Sequence, residues 1–505
     1  MESFFNKRIK LHGLKIKHQA TFFTIPLLAS ILISILNRFP YPQERIDEKY
    51  KIFVIIKTIL TIKKIFMRDD IPNYMIREKI IQTINEKNIK WIQLHFTDVI
   101  GRLRVLHIPA NRFINDIVDN GIGFDGSSVG LVKVEKSDLI AMPDESTFNI
   151  LPHEKDEAKV IADIYDANFQ QFSADPRFIL KKTLKKADNQ GFNDIRISPE
   201  MEFYVCEESE DYNYEKMEAQ GYLAPPPLDD VKDYRRNLSE FLQESGYNVK
   251  YHHHEKGKYQ HEVEIDALDA ISAADYCIYF KYLAREVASS YNLMVTFMPK
   301  PFSLNAGNGM HAHIAFYKDG ENVFLDENDE YNLSQSARYF IGGILDHAAG
   351  MTAIGNPTIN SYKRLTPYFE APIFITWAKY NRSSLVRIPA RKNVDVEIRN
   401  ADPAANSYLL FAVMIQAGLD GIKKKIEFEP IEKNIYKLIE TENRLNIKKL
   451  PTTLLEALDA LEQDDIIKNA LGKDILELFV EKKKKEWKQY QGEITDLEYR
   501  LYFHC

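Results

Sequence analysis

Four short segments of this chain alternate aliphatic residues with metal-ligand types, and together they limit what it can fold into. In 195–205, Met201, Phe203 and Val205 fall on one face of a strand, and Glu200 and Glu202 fall together on the other. Two carboxylates held that close repel unless one is protonated or a cation sits between them. Alone, one Glu-x-Glu reads as a solvated face. Three later segments repeat the design, however. Glu262 and Glu264 stand opposite Val263 and Ile265; His311 and His313 stand opposite Met310, Ala312 and Ile314; Asp395, Glu397 and Arg399 stand opposite Val394, Val396 and Ile398. If the four lie in one sheet, carboxylates and imidazoles converge on a cleft that needs divalent cations to exist.

The rest of the chain is compatible with such a core. At 505 residues it is long enough for more than one domain. A hydrophobic fraction of 45% and a charged fraction of 28% are ordinary for a globular protein. The net charge of −7 argues against general nucleic-acid binding. Cys206, Cys277 and Cys505 are odd in number and form no CxxC pair, which points to a reducing compartment, the cytoplasm.

Residues 1–66 break the pattern. They hold 12 Lys and Arg against 4 Asp and Glu, a charge of +8 that leaves −15 on the remainder. The apolar run 22–36 has basic flanks like a signal or anchor, but it contains Pro26 and falls short of the roughly 20 residues of a membrane span. Three readings compete: upstream sequence ahead of a start at Met67, a targeting or membrane-surface extension, or an added packing element. The first is the expectation, because globular patterning begins abruptly after Met67; a membrane role follows only from the second.

From Met67 the spacing of Ile76, Ile80, Ile81 and Ile84 predicts a helix over 74–87. Residues 91–96 and 104–108 predict a hairpin turning at 98–101, and 160–165 predict a strand. Between them 121–130 reads as a Gly/Ser-rich loop. Asp175 followed by Pro176 predicts a helix start, so 67–172 forms a small α+β domain and 173–505 one large unit. An amphipathic helix is expected over 275–291. A helical tail is expected from Thr453, with Leu454, Leu455, Leu458 and Leu461 in its core and 482–485 as a solvated charge run.

In order and spacing, the motifs resemble those of type I glutamine synthetase over about 430 residues from Met67. They are GFDGSS at 123–128, PEMEF at 199–203, HHE at 253–255, TFMPKP at 296–301, GMHAH at 309–313, NPTINSYKRL at 356–365, FEAP at 369–372, YNRSSLVRIP at 380–389 and DPAANSYL at 402–409. The resemblance implies an α+β fold with a small β-grasp-like N-terminal domain. The large catalytic domain would hold an antiparallel sheet flanked by helices, as in the glutamine synthetase/guanido kinase-like fold. It implies a homo-oligomer of two stacked hexameric rings, a dodecamer with sites between subunits. The implied reaction phosphorylates the γ-carboxylate of L-glutamate with ATP, after which ammonia displaces phosphate to give L-glutamine.

The implied site uses two or three Mg²⁺ or Mn²⁺ ions. One is carried by Glu202, Glu255 and Glu262, the other by Glu200, His311 and Glu397, an oxygen-rich set with one imidazole that suits these ions better than Zn²⁺. Arg364 and Gly307 would take the amino-acid end of glutamate. Arg382 and Arg399 would face the transferring phosphoryl, and Arg382, Arg387, Lys392 and His313 would serve ATP. Asp125 and Glu370 would bind ammonium and take its proton, with Glu370 on a flap that excludes water. Read alone, the His-rich run ending in Glu255 is equally a surface loop or a zinc site; within the resemblance only Glu255 ligates.

Three positions depart from the family: Ala306 for an Asn, Ala315 for a Ser, and Lys250 for an acidic residue. Tyr436 lies where some members are adenylylated. Two other functions compete. A γ-glutamyl-amine ligase would share the metals and phosphoryl chemistry, though Asp125 with Glu370 favours a small cation. A non-catalytic structural relative would have no use for six metal ligands and four arginines.

Overall fold

The computed structural model describes residues 70–207, 221–367, 371–441 and 447–505. The extension 1–66 and Glu370 lie outside the described residues. Residues 73–505 pack as one compact unit.

Helix α1, Asp70–Lys87, begins before the expected start and buries Ile80 and Ile84. Strands β1 (Trp91–Thr97) and β2 (Leu103–Pro109) pair antiparallel, with Leu94 opposite Leu106, as the hairpin pattern requires. The loop expected over 121–130 opens with a strand, β3 (Ile122–Asp125). It pairs with β4 (Asp138–Ile150), a strand the alternation did not reveal. Pro143 hides it, since proline donates no ladder bond. The sheet tolerates Pro143 because Ile122, the first residue of β3, already pairs with Ala141, so β4 has passed the end of its neighbour. With β5 (Glu157–Asp166) the first sheet is ordered β2-β1-β5-β4-β3, and only β1–β5 is parallel.

Asp175 caps helix α2 (Pro176–Asp188), its side chain accepting from the Arg177 amide, with Pro176 at the first turn. The chain then enters the second sheet at β6 (Asp194–Glu207). Strands β7 (Val249–His254), β8 (Gln260–Ile265), β9 (Leu268–Asp269), β10 (Leu293–Thr296), β11 (Met310–Lys318), β12 (Glu321–Asn322), β13 (Trp377–Lys379), β14 (Val386–Ile388) and β15 (Val396–Ile398) complete it. Its main path is β13-β14-β15-β11-β6-β8-β7, antiparallel except between β13 and β14. The four segments singled out in the sequence are therefore consecutive strands, β15, β11, β6 and β8. Met201, Phe203, Val205, Val263, Met310, Ala312, Ile314, Val396 and Ile398 are buried on the core side. Each of these side chains but the small Ala312 contributes about 1.5–3 kcal/mol relative to exposure.

Two further expectations need correction. The helix expected over 275–291 starts five residues earlier, at Ala270, and the Asp269 side chain caps it (α3, Ala270–Ser290). It is buried around most of its circumference rather than on one face, because α3 packs between β6, β10 and helix α4 (Ser407–Lys424). In the tail helix Lys473–Gln491 (α5), the run 482–485 is not uniformly solvated: Lys483 is buried and pairs with Glu486 at 2.8 Å.

The two sheets are joined by a buried charge cluster. Arg177, at the start of α2, reaches Asp144 of β4 and Asp163 of β5, each at 2.8 Å, and Asp275 of α3 at 3.1 Å. Lys181 adds a bond to Asp163 at 2.6 Å, and the Tyr408 hydroxyl donates to Asp275 at 2.6 Å.

Candidate active site

Strand register sets the geometry of the site. Across β6 and β11, Glu200 faces His311; across β11 and β15, His313 faces Glu397; across β6 and β8, Glu202 faces Glu262; across β7 and β8, His253 faces Glu262. Every second residue on adjacent strands points the same way, so this register gathers the reactive side chains on one side of the sheet. They border a cavity of about 600 Å³. Its lining includes ten expected residues: Glu200, Glu202, Glu255, Glu262, Gly307, His311, Arg364, Arg382, Arg387 and Arg399.

The remaining expected residues lie elsewhere. Glu397 and His313 are buried in the sheet behind the lining. Lys392 is exposed and borders no part of the cavity. Glu370 is not described, though its neighbour Ala371 is part of the wall. Asp125 ends β3 of the first sheet and does not border the cavity. Its carboxylate accepts from the Ser127 hydroxyl at 2.6 Å and the Ser128 hydroxyl at 2.5 Å, which hold its pKa down at about 2.

The acids fall into two electrostatic groups. Glu397 receives Arg387 and Arg399; burial pushes its pKa up, but Arg399, His313 and His311 bring it down to about 2. Burial also opposes ionisation of Glu200, and His313 and His311 overcome it, holding the carboxyl well below its ordinary value. On the β8 side, burial and the neighbouring Glu255 push Glu202 up to about 7. Burial, then Glu200 and Glu255, push Glu262 well above the usual range. Neither Glu202 nor Glu262 has an ion-pair partner among the described residues. Glu202 accepts from the Gly309 amide at 2.7 Å and from Gln260 at 2.9 Å.

Three groups of side chains each bring ligand atoms within 4.8 Å of one another: Glu200, His313 and Glu397; His253, Glu255 and Glu262; and Glu200, Glu262 and Glu264. The first two differ from the expected sets by one imidazole for another and by His253 in place of Glu202. The chemistry separates the two imidazoles. His313 Nε2 stands 2.8 Å from Glu200 and its Nδ1 hydrogen-bonds Asp395 at 2.9 Å; although burial opposes it, these carboxylates raise its pKa to about 10, which favours the imidazolium. Burial and Arg399 lower His311 to about 4, leaving a neutral imidazole whose Nδ1 stands 3.7 Å from Glu200 and 3.6 Å from Glu397. A metal ligand has to be deprotonated, so His311 fits a cation and His313 a counter-charge. Carboxylates massed around a neutral imidazole, with two of the acids unpaired, fit hard divalent cations.

Two glycines make room for Arg364. A Cβ on Gly307 would stand 2.6 Å from Arg364 Cγ, and one on Gly309 would stand 2.7 Å from both Arg364 Nη2 and His311 Nε2. Arg364 is buried and donates to the carbonyls of Asn400 and Arg399 at 2.6 and 3.2 Å.

Sequence reasoning missed several residues. Arg391 bonds Glu200 at 3.3 Å and Asp395 at 3.0 Å, and its only sequence signal is the spacing of four from Asp395. Gln260 ties Glu202 to the Gly307 carbonyl at 3.1 Å. His253 bonds Glu255 at 2.8 Å. Of the departures, Ala306 accepts the Tyr204 hydroxyl on its carbonyl at 2.8 Å, Ala315 is buried, and Lys250 lies 3.9 Å from Glu264. The Tyr436 hydroxyl donates to the Ala371 carbonyl at 2.8 Å.

Comparison with known proteins adds independent findings. Residues 173–502 match the family described as glutamine synthetase, catalytic domain, and 88–167 match glutamine synthetase, beta-Grasp domain. Among curated relatives, the glutamine synthetase of Methanococcus maripaludis is 40% identical over 439 residues, covering 84% of this chain and 98% of that one. That of Pyrococcus furiosus is 43% identical over 410 residues, covering 80% and 92%. Among solved structures, a GmaS/ADP complex aligns with a TM-score of 0.79 at 31% identity, covering 84% of this chain and 99% of that one. A Plasmodium falciparum glutamine synthetase aligns at 0.77 with 25% identity, covering 85% and 98%.

Proposed function

The chain belongs to the glutamine synthetase family, and we propose that it makes glutamine in the cavity between β8 and β15. It is an ATP-dependent ligase that joins ammonia to the γ-carboxylate of glutamate. The observation that carries the site assignment is the convergence of five of the expected acid or imidazole ligands and five arginines, Arg391 among them, on one cavity.

The reaction needs a phosphoryl group transferred to a carboxylate and then displaced by an amine. A divalent cation, which the family uses, would neutralise phosphate oxygens and orient the displacement. Glu202, Glu255 and Glu262 on one side, and Glu200, His311 and Glu397 on the other, would hold such ions; we assign Mg²⁺ or Mn²⁺. Arg364, fixed by two backbone carbonyls, is suited to the α-carboxylate of glutamate, with Gly307 beside it. Arg382 and Arg399 supply positive charge for the transferring phosphoryl. Arg387, Lys392 and the His313 imidazolium serve ATP. Asp125 and Glu370 bind ammonium and take its proton.

Asp125 does not line the cavity of its own chain, which supports a ring of subunits in which it completes a neighbour's site. We propose two stacked hexamers in the cytoplasm, with a division between the small and large domains at residues 172–173 supported by the two separate sheets. No helix among the described residues is long and apolar enough to cross a membrane. In co-assembled rings of Asp125→Asn and Glu397→Ala chains, both inactive alone, about a quarter of sites become whole under random mixing. Activity returns to about that fraction; verified mixed rings that stay inactive refute the shared site.

A second reading, a γ-glutamyl-amine ligase, draws support from the two GmaS structures among the structural neighbours. ADP release with glutamate, comparing ammonium with putrescine, ethanolamine and methylamine, separates the readings. Ammonium should give the highest kcat/KM. A higher value for any amine moves the protein to the second reading.

A further inference from the structure

A second cavity, of about 770 Å³, lies where the β1–β2 turn meets α3 and the tail helix α5. It has no part in the chemistry above. Its walls are mostly apolar, with Leu103, Ile278 and Phe297 among them, but three cations also face it: Arg102, Lys281 and Arg285. None of the three has a carboxylate partner among the described residues. Lys483 on the same wall is already paired with Glu486 at 2.8 Å. One further acid, Glu286, also borders the space and pairs with none of them. Lys281 and Arg285 are one helical turn apart, where like charges repel. Burial lowers both, Lys281 to about 8. The Arg285 guanidinium stacks 5.2 Å from the Phe297 ring. Arg102 and Arg285 are exposed and Lys281 is half-buried, so an anion entering the hollow would meet all three and offset the cost of desolvating Lys281.

The cavity also shares a wall with the active site. Lys281 Nζ donates to the Pro403 carbonyl at 3.1 Å. Pro403 is in the segment whose Asn400 carbonyl holds Arg364 at 2.6 Å and whose Arg399 borders the first cavity. Met298 faces the second cavity, and its carbonyl accepts from Asn308 at 2.9 Å, next to Gly307 of the first. A group that draws Lys281 away from Pro403 would therefore act on the backbone that positions Arg364.

We propose that this second cavity is an effector site for a small anion with an apolar body, a carboxylate or phosphate carried on an aromatic or branched frame, which couples to glutamate binding through the 399–404 segment. The binding stands independently of the proposed reaction; the coupling rests on it.

The test uses the full chain with ADP and Mn²⁺ at saturation, so that the first cavity is filled. Phenylphosphate and phenylacetate are the two probes; phenol and inorganic phosphate lack one half of the required chemistry. At millimolar concentration at least one probe raises the melting temperature by several degrees, and the controls do not. The rise disappears in Lys281→Met/Arg285→Met and weakens in Arg102→Gln, which alters only the turn and covers the case of a double variant that fails to fold. Which probe acts distinguishes a phosphate from a carboxylate ligand. No rise with either probe, or an equal rise in a folded variant, overturns the site. In steady state the active probe changes the KM for glutamate at least twofold with kcat held, and the Arg285→Met variant loses the change. Melting shifts without the KM change overturn the coupling alone.

Discussion

Two of the buried charge groups among the described residues are balanced by different means. Around Arg177, the carboxylates of Asp144, Asp163 and Asp275 meet the cations of Arg177 and Lys181, all from this chain and within 2.6–3.1 Å in the tightest pairs. That cluster ties β4 and β5 to α2 and α3, and it is complete once the chain has folded. In the active site, Glu200 and Glu397 are similarly served by His313, Arg391, Arg387 and Arg399. Glu202 and Glu262 are not, and burial beside other acids leaves them reluctant to ionise. The difference teaches where to look for function. Around Arg177 the fold supplies every partner; in the site it balances Glu200 and Glu397 but leaves Glu202 and Glu262 to be balanced by something from outside.

The largest effect that could break this contrast is loss of a proposed metal ligand. Glu397→Ala and His311→Ala each lower turnover at least about a thousandfold while the circular dichroism spectrum stays native. Turnover near that of the parent in either variant removes the assignment.

Next is the structural cluster. Arg177→Met leaves three aspartates facing one another without their main cation and costs about 3–5 kcal/mol of stability, read from denaturant midpoints. The KM for glutamate in the protein that remains folded is unchanged. A large KM change with little loss of stability would mean that the two clusters are not separable.

A third measurement concerns protons. Glu202, with a folded pKa of about 7, binds more protons in the folded than in the unfolded state between its ordinary value and 7. Stability of the metal-free protein therefore falls as pH rises through that window. Mn²⁺ displaces the protons, so its apparent affinity climbs toward pH 7 and then levels off. Calorimetry in buffers of different ionisation enthalpy detects the released protons, and a pH-independent affinity contradicts the unpaired state of these acids.

The smallest effect refines the comparison at a third buried group. His347 bonds Asp464 at 2.8 Å and Asp420 at 3.0 Å, joining the tail to α4. Although burial opposes it, these two carboxylates raise its pKa. Its contribution is complete below the unfolded value near 6.5 and is lost as pH rises through the higher folded value. His347→Asn costs about 1–2 kcal/mol at pH 6 and less at alkaline pH. Equal losses at both would show that packing, not charge, is what His347 supplies.

Much of this was legible along the chain. Period-two alternation placed Glu200, Glu202, Glu262, His311 and Glu397 on polar faces, because strand geometry dictates that outcome locally. Asp175 before Pro176 marked the start of α2 for the same local reason. Strand β4 was hidden by Pro143, whose tolerance depends on where β3 ends, a fact about a neighbour rather than about β4. The extent of α3 was misjudged because it is enclosed on nearly all sides, which erases the amphipathic signal at its first turn.

The sequence by itself determined which residue types would share a face and, through ordered motifs, which family they form. Only the tertiary structure decided which strands became neighbours and in what register, and so which acid received a cation. His311 and His313 are two residues apart on the same strand, yet one is a neutral imidazole and the other an imidazolium. The motif gave them different roles, but the local pattern of the strand does not distinguish their charge. Their protonation is set by Glu200, Asp395 and Arg399, which reach them from elsewhere in the chain, since electrostatic energy depends on distance in space and on burial rather than on sequence separation.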